Sequence, residues 1–270
     1  MKKDISKIDT SKIKAFFFDN DSTLFNHSEF GKPILDSTYE SLRKLRENNY
    51  KVCMITSRSY EEMYNVPSDF LDLFDDVCLL SGAYIISRNK EIKVTPINKE
   101  STTKLINLLD NMDVTYRYAT SDGKGYLNRH DADKEGIFKF LYDMVPEIKK
   151  YEQEDVLHFI VYVDKETGNK IFEKIQNVEY SYPSICSEFS EKGVDKGLTL
   201  KKMCEKYGIG LDQSCAFGDS GNDISMFDKA ELSICLGNGK KEVKEKADYI
   251  TDNIWEDGVY NALKHFKFIK

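Results

Sequence analysis

The sequence predicts an α/β protein, with a Rossmann-like parallel sheet core and a smaller α+β domain inserted into it. Short continuous apolar runs alternate with segments of helical periodicity, as strands and helices do in open parallel sheets. The middle of the chain breaks that rhythm and turns rich in β-branched and aromatic residues. The polar residues Asp19, Thr56 and Asp219 each follow the end of an apolar run.

In chain order, the first run is Ala15-Phe16-Phe17-Phe18, followed by Lys51–Ile55 and Val77–Leu80. The later runs are Ser214–Phe217, Leu232–Leu236 and Asp248–Ile250. Runs this short and this apolar fit strands buried on both faces. Between the first two, Asp36 is placed to cap a helix that carries Tyr39, Leu42 and Leu45 on one side and ends near Asn48-Asn49. A second helix shows Leu200, Met203, Cys204 and Tyr207 at i, i+3, i+4 and i+7, closed by Gly208. In the middle, 114–118 and 157–163 read as strands, and Glu100–Asn111, Asp133–Met144 and Lys165–Gln176 as helices. The expected division is a core of 1–83 and 185–270, with 84–184 inserted.

At 270 residues the chain is comfortable for two domains, and 40% apolar with 31% charged residues suits a globular core. The net charge of −7 and the scattered lysines argue against nucleic acid as partner. No run reaches the ~18 apolar residues of a membrane span, and the charged start Met1-Lys2-Lys3 has no apolar stretch behind it. The six cysteines fall at 53, 78, 186, 204, 215 and 235, none at CxxC spacing, which points away from zinc and disulfides and toward a cytoplasmic setting.

Ligands of open parallel sheets bind outside the carboxyl ends of the strands, where Asp19, Thr56 and Asp219 are delivered together. Asp19-x-Asp21-x-Thr23 alone is a weak pattern, since Asp is a common turn residue after a strand. Gly218-Asp219-Ser220-Gly221-Asn222-Asp223 adds two carboxylates at an equivalent strand end. Close carboxylate pairs repel by about 4 kcal/mol at ~4 Å and an effective dielectric of ~20. A divalent cation removes that cost, and Mg²⁺ suits oxygen ligands beside phosphate. Lys196 lies four residues before Leu200 and so extends the apolar row of that helix. A lysine aimed along a core face needs an anionic partner: Asp19, Asp219 or a bound phosphate. Thr56-Ser57-Arg58 reads both as a helix cap and as an anion site.

Taken in order, these residues resemble the haloacid dehalogenase (HAD) superfamily, specifically its Cof-type phosphatases. Asp19-x-Asp21-x-Thr23 comes first, then Thr56 after a strand, Lys196 before a helix, and Gly218-Asp219-x-x-Asn222-Asp223 last. The tail, with Gly237-Asn238, Ala247–Thr251 and Asp257-Gly258-Val259, resembles the Cof-type ending. The resemblance implies Asp19 as nucleophile and Asp21 as general acid and base. It implies Thr56 and Lys196 on the phosphoryl oxygens, with Thr23, Ser57, Arg58, Ser81, Gly82 and Asn222 around phosphate or substrate. Mg²⁺ would be held by Asp19, the backbone carbonyl of Asp21, and Asp219, with Asp223 and Asn222 in support. The insert would be a cap that covers the site and selects the substrate. On its 157–163 strand, His158, Ile160 and Tyr162 share one face and Phe159, Val161 and Val163 the other. The first face, with Arg117 of a neighbouring strand, is the one expected toward the site, although a satisfied structural histidine is the preferred reading of His158.

The sequence departs from the family pattern at Asn20, Ser22, Ser57 and Ser81. The expected partner is a small phosphate ester, with sugar phosphates as the family default, no nucleic acid and no membrane, and the chain is expected as a monomer or weak homodimer. A phosphosugar mutase of the same fold and a non-catalytic phosphate-binding protein are the alternatives.

Overall fold

A computed structural model describes residues 3–28, 32–175, 177–183 and 185–270. Met1 and Lys2, and Gln176 and Ser184, the ends of one expected helix and of the expected insert, lie outside the described residues.

The core begins with strand β1 (Ala15–Phe18), helix α1 (Asp36–Glu47), β2 (Lys51–Ile55) and β3 (Asp76–Leu79). A hairpin of β4 (Tyr84–Ser87) and β5 (Ile92–Val94) follows. After the insert, the core resumes with α5 (Lys196–Tyr207), β12 (Ser214–Gly218), β13 (Leu232–Cys235), β14 (Tyr249–Ile250) and α6 (Gly258–His265). The insert in between holds α2 (Lys99–Asn111), β6 (Tyr116–Thr120), β7 (Gly125–Leu127), α3 (Ala132–Tyr142), β8 (Glu147–Ile148), β9 (Val156–Val161), α4 (Lys165–Ile175), β10 (Val178–Ser181) and β11 (Ser187–Glu191).

The core sheet runs β14-β13-β12-β1-β2-β3-β4-β5, parallel from β14 to β3 and antiparallel at β4 and β5. β1 lies in the interior of the sheet and is buried at every residue. Its alternation splits the core in two: Phe16 and Phe18 pack with Leu42, Leu45 and Leu263 on one face, Ala15 and Phe17 with Leu200, Met203 and Cys204 on the other. Leu35, not Asp36, is the N-cap of α1, and no side chain caps it; Asp36 is the first helical residue. Gly208 closes α5 in the left-handed region at φ 69°.

The insert folds on a second sheet, β10-β11-β9-β6-β7-β8. Phe159, Val161, Tyr116, Tyr118 and Phe189 pack on one of its faces with Leu105 and Leu109 of α2 and Ile171 of α4. This leaves Arg117, His158, Ile160 and Glu188 on the opposite face, in register across β6, β9 and β11. Both domain boundaries move. The hairpin 84–94, expected in the insert, pairs with β3 and extends the core sheet. Residues 187–191, expected in the core, pair with β9 and belong to the insert. Composition did not separate them: Tyr84–Ser87 and Ile92–Val94 are as β-branched and aromatic as the insert's strands, while Ser187–Glu191 is mostly Ser and Glu and carries no strong strand signal of its own.

Candidate active site

β1 and β12 lie side by side, so their ends bring two acidic segments together. Asp19 is the first residue beyond β1, and its N–H donates to the Phe217 carbonyl at 3.0 Å. Asp219 is the first residue beyond β12. Gly218 makes the approach of Asp223 possible: a Cβ there would stand 2.5 Å from the Asp223 carboxyl carbon. The Asp223 side chain thereby folds back over the strand end. Its Oδ2 accepts the N–H groups of Asp219 and Ser220, both at 2.9 Å. Ligand oxygens of Asp19, Asp219 and Asp223 lie within 4.8 Å of one another.

Lys196, the first residue of α5, reaches into this cluster and is 2% exposed. Its Nζ donates to Asp19 Oδ1 at 2.6 Å and to Asp223 Oδ1 at 2.7 Å. Burial works against its charge, but the two carboxylates outweigh it and hold its pKa above the ordinary lysine value. Three carboxylates and one ammonium leave two negative charges in a buried site. Burial and then the Asp223 charge accordingly push the Asp19 carboxyl well above its usual range, and push Asp219 up to about 8. A donor set of buried carboxylate oxygens with two uncompensated charges fits a hard divalent cation such as Mg²⁺. Thr23 Oγ1 donates to Asp219 Oδ1 at 3.1 Å, so it holds an acidic group of this cluster.

Asp21 is in a different setting. Arg58 grips it with two nitrogens, Nη2 to Oδ1 at 2.6 Å and Nε to Oδ2 at 3.1 Å. His27 Nε2 lies 2.6 Å from the same Oδ1. Burial alone would raise the Asp21 pKa, but the Arg58 charge and the hydrogen bonds from His27 and Arg58 hold the carboxyl well below the usual carboxylate range. Arg58, expected at the phosphate, has its other donors on the Glu62 carbonyl at 3.0 Å and Asn65 Oδ1 at 2.6 Å. Its guanidinium carbon sits 4.8 Å from the ring centres of both Phe25 and Tyr142. Nothing in the sequence pattern signals His27, which reaches Asp21 only because the chain turns back between Asp21 and Phe25.

The remaining expected residues divide. Ser57 and Asn222 line a cavity of about 300 Å³ together with Asp19, Asp21, Asp219 and Lys196. Thr56 is wholly buried behind it, its Oγ1 accepting the Arg58 N–H at 3.2 Å. Ser81 and His158 line an adjoining cavity of about 510 Å³ that shares Lys196 and Asn222 but lacks Asp19. Burial and then the Arg117 charge push the His158 pKa down to about 3, so it is neutral. Gly82 packs closely against α5: its φ is +108°, and a Cβ would fall 1.9 Å from Thr199 Oγ1. Arg117 faces the core as expected, yet it is fully buried and spent on Glu62, 2.8 Å away. The pair meets off the hydrogen-bonding line, so the guanidinium nitrogens have no hydrogen-bond partner among the described residues.

Two departures from the family pattern have a backbone meaning. Ser22 and Ser81 both occupy the left-handed region, at φ 60° and 57°. Glycine and asparagine, usual at those positions, enter that region most cheaply.

No helix among the described residues is long and apolar enough to cross a membrane. The six cysteines are buried and free. A family model for haloacid dehalogenase-like hydrolases matches residues 16–263. A 5-amino-6-(5-phospho-D-ribitylamino)uracil phosphatase of Bacillus subtilis is 28% identical over 257 residues, covering 94% of this chain and 96% of that protein. A putative bifunctional phosphatase/peptidyl-prolyl cis-trans isomerase of Streptococcus pyogenes serotype M6 is also 28% identical, over 97% of this chain, which spans 56% of that protein's length. Among solved structures, a HAD subclass IIB sugar phosphatase superimposes with a TM-score of 0.85 at 26% identity, covering 95% of this chain and 100% of that one. The ordered strand-end carboxylates, the lysine at the head of α5 and the match across nearly the whole chain lead to one conclusion: this chain belongs to the haloacid dehalogenase-like hydrolase family.

Proposed function

We propose that this phosphatase hydrolyses small phosphate monoesters through a phosphoryl-enzyme on Asp19, with Mg²⁺ as cofactor. The observation that carries the reading is the Lys196 clamp: one ammonium fixes Asp19 and Asp223 at 2.6 and 2.7 Å. Asp19 and Lys196 both line the cavity, and the ammonium supplies positive charge where phosphoryl oxygens would arrive. Asp19, Asp219 and Asp223 would hold the ion with the Asp21 carbonyl; bound there, it neutralises the charge of both phosphate and carboxylates.

In the first half-reaction an Asp19 oxygen attacks phosphorus, the bond from phosphorus to the leaving oxygen breaks, and that oxygen takes a proton from Asp21. In the second, water attacks the aspartyl-phosphate phosphorus, gives its proton to Asp21, and inorganic phosphate leaves with the Asp19 carboxylate restored. The grip of Arg58 and His27 sets Asp21 as the ionised base of the second half. Its role as acid in the first half requires Arg58 to loosen and Asp21 to take up a proton.

The coarse substrate class follows from the family; sugar phosphates and ribityl-aminouracil phosphates, on which the named relatives act, bracket the polar and ring-bearing ends of the range to assay. A phosphosugar mutase would return the phosphoryl group to substrate, and free phosphate release separates the two. Asp19→Asn is expected to cut Mg²⁺-supported p-nitrophenyl phosphate turnover by about 10⁴-fold or more. Turnover retained within tenfold of wild type (roughly 1.4 kcal/mol of barrier) would remove Asp19 as nucleophile.

A further inference from the structure

The cavity that holds Asp19 has two unlike ends. The core end carries Asp19, Asp21, Asp219, Lys196 and Ser57. The cap end is built of Ile137, Phe138, Leu141 and Tyr142 from α3, with Ile160 of β9 and Tyr162 just beyond it. Among the described residues that line it, the insert contributes one charged group, Glu188, and no lysine or arginine. At about 300 Å³ the cavity has the volume of about ten waters. That is room for a phosphoryl group and a leaving group of one or two rings.

The aromatic side chains are not splayed at random. Phe138 meets Tyr162 edge-on, with ring centres 6.4 Å apart and planes at 85°, and stands 5.8 Å from Tyr142. These rings and the aliphatic side chains beside them make the cap end of the lining mostly carbon, with the Tyr142 and Tyr162 hydroxyls as its uncharged polar groups. A bare sugar brings several hydroxyls into it. Each hydroxyl buried without a partner costs about 1–3 kcal/mol, and Ile137, Leu141 and Ile160 supply no partners. A planar ring loses little there and gains the burial of its faces. The polar exception, Glu188, is 5% exposed and accepts from Ser181 Oγ at 3.0 Å and from Asn222 Nδ2 at 3.4 Å. Beside the hydroxyls of Tyr142 and Tyr162, it offers the one carboxylate acceptor among the described residues of a wall otherwise mostly of aliphatic and aromatic carbon.

Resting on the phosphatase reading above, we propose that the preferred leaving group is a planar aromatic or heteroaromatic alcohol carrying an N–H or O–H donor, not a bare sugar. Ile160 and Tyr162 set this preference, and Glu188 receives the donor.

Matched primary phosphate esters test it. Benzyl phosphate, pyridoxine 5′-phosphate and D-glucose 6-phosphate all leave through a CH₂–O oxygen, so they differ in the body of the leaving group and little in its chemistry. With Mg²⁺ present, kcat/KM for pyridoxine 5′-phosphate is expected to exceed that for glucose 6-phosphate by roughly tenfold or more, with benzyl phosphate between them. Ile160→Asn and Tyr162→Ala are each expected to lower that ratio by roughly tenfold. A ratio is independent of the active fraction, so partial misfolding of a variant does not imitate the effect. Acetyl phosphate, which has no ring and almost no body, reports the chemistry alone. If it is hydrolysed while the ring esters show no advantage, or if neither variant moves the ratio, the ring preference is wrong and the phosphatase reading stands. If acetyl phosphate and every other ester are inert, both fall.

Discussion

Asn20 sits between the two aspartates and is fully buried, yet neither its amide oxygen nor its nitrogen has a hydrogen-bond partner among the described residues. Its backbone earns the position: the Asn20 carbonyl accepts from the N–H groups of Thr23, Leu24 and Phe25 and so shapes the turn that carries Asp21. The side chain does not. An unsatisfied buried amide costs about 1–3 kcal/mol, and a similarly sized apolar side chain avoids that cost. Asn20→Leu is therefore expected to stabilise the protein by about 1 kcal/mol or more, read as a rise in the urea midpoint at unchanged slope. A lowered midpoint would show that the amide is satisfied in solution. Asp219 gives a second residue-level test. Its carboxyl, pushed up to about 8 by burial and by Asp223, binds a proton more tightly in the folded than in the unfolded chain, where its pKa is near the ordinary 3.8. Without metal, this group's stabilising contribution is full at low pH and is lost as pH climbs from about 4 through about 8. Mg²⁺ competes with that proton, so its stabilising effect runs the other way. A hundredfold excess over Kd contributes about 2.7 kcal/mol, or roughly 5–10 °C for a chain of this size. The melting shift on adding a fixed concentration of Mg²⁺ is expected to be larger at pH 8 than at pH 5; an equal or reversed shift would place the ion elsewhere.

Among the elements, the loop that follows β2 links the two domains to Asp21. Within it, Arg58 holds Asp21, Glu61 meets the Gly123 carbonyl and the Gly125 N–H, Glu62 meets Arg117, and Asn65 donates to the Leu141 carbonyl. Tyr142, at the end of α3, stacks on Arg58 from the insert side, opposite Phe25 of the core. The hold on Asp21 is thus built partly from the insert, and displacement of the insert would strip Arg58 of one of its two aromatic walls. Glu62 and Arg117 are both wholly buried, at 2% and 0% exposed, and breaking such a pair leaves a charge without compensation. Arg117→Met is expected to destabilise the protein by about 3–5 kcal/mol, with Glu62→Gln added to it recovering part of the loss. A urea-denaturation double-mutant cycle measures this; additive losses would mean that the two side chains do not act as a pair.

Across the whole molecule, the parts legible in the sequence were those with strong local signals. The apolar runs became β1, β2, β3, β12, β13 and β14; the interior strands are apolar over most of their length because both faces are covered, while β14 at the sheet edge is only partly buried. The alternation in 157–163 correctly assigned Phe159 and Val161 to the insert's own core and Ile160 to the face turned toward the catalytic domain. Both domain boundaries were missed, since which sheet a hairpin strand joins is decided by tertiary pairing and not by its own residues. Arg58 was expected at the phosphate and Arg117 on the cap face toward the site, and the carboxylates beside them, Asp21 and Glu62, were not legible because a sequence shows a charge but not its partner. The same holds for Glu62 and Glu188, whose partners lie far along the chain, and for His27, which meets Asp21 only through the turn between them. The ordered carboxylates and Lys196 needed no such partner to be noticed, and they meet where β1 and β12 end side by side.

The central claim is that Asp19 carries the phosphoryl group during turnover. Its most direct test is acid quenching of the protein in mid-turnover with acetyl phosphate and Mg²⁺, in the wild type and in Asp21→Asn, where loss of the base slows hydrolysis of the intermediate. Mass spectrometry of the peptides is expected to show one added phosphoryl group on the segment containing Asp19, accumulating more in Asp21→Asn and absent in Asp19→Asn. A phosphoryl group found on a different side chain, or full turnover in Asp19→Asn, would contradict the account.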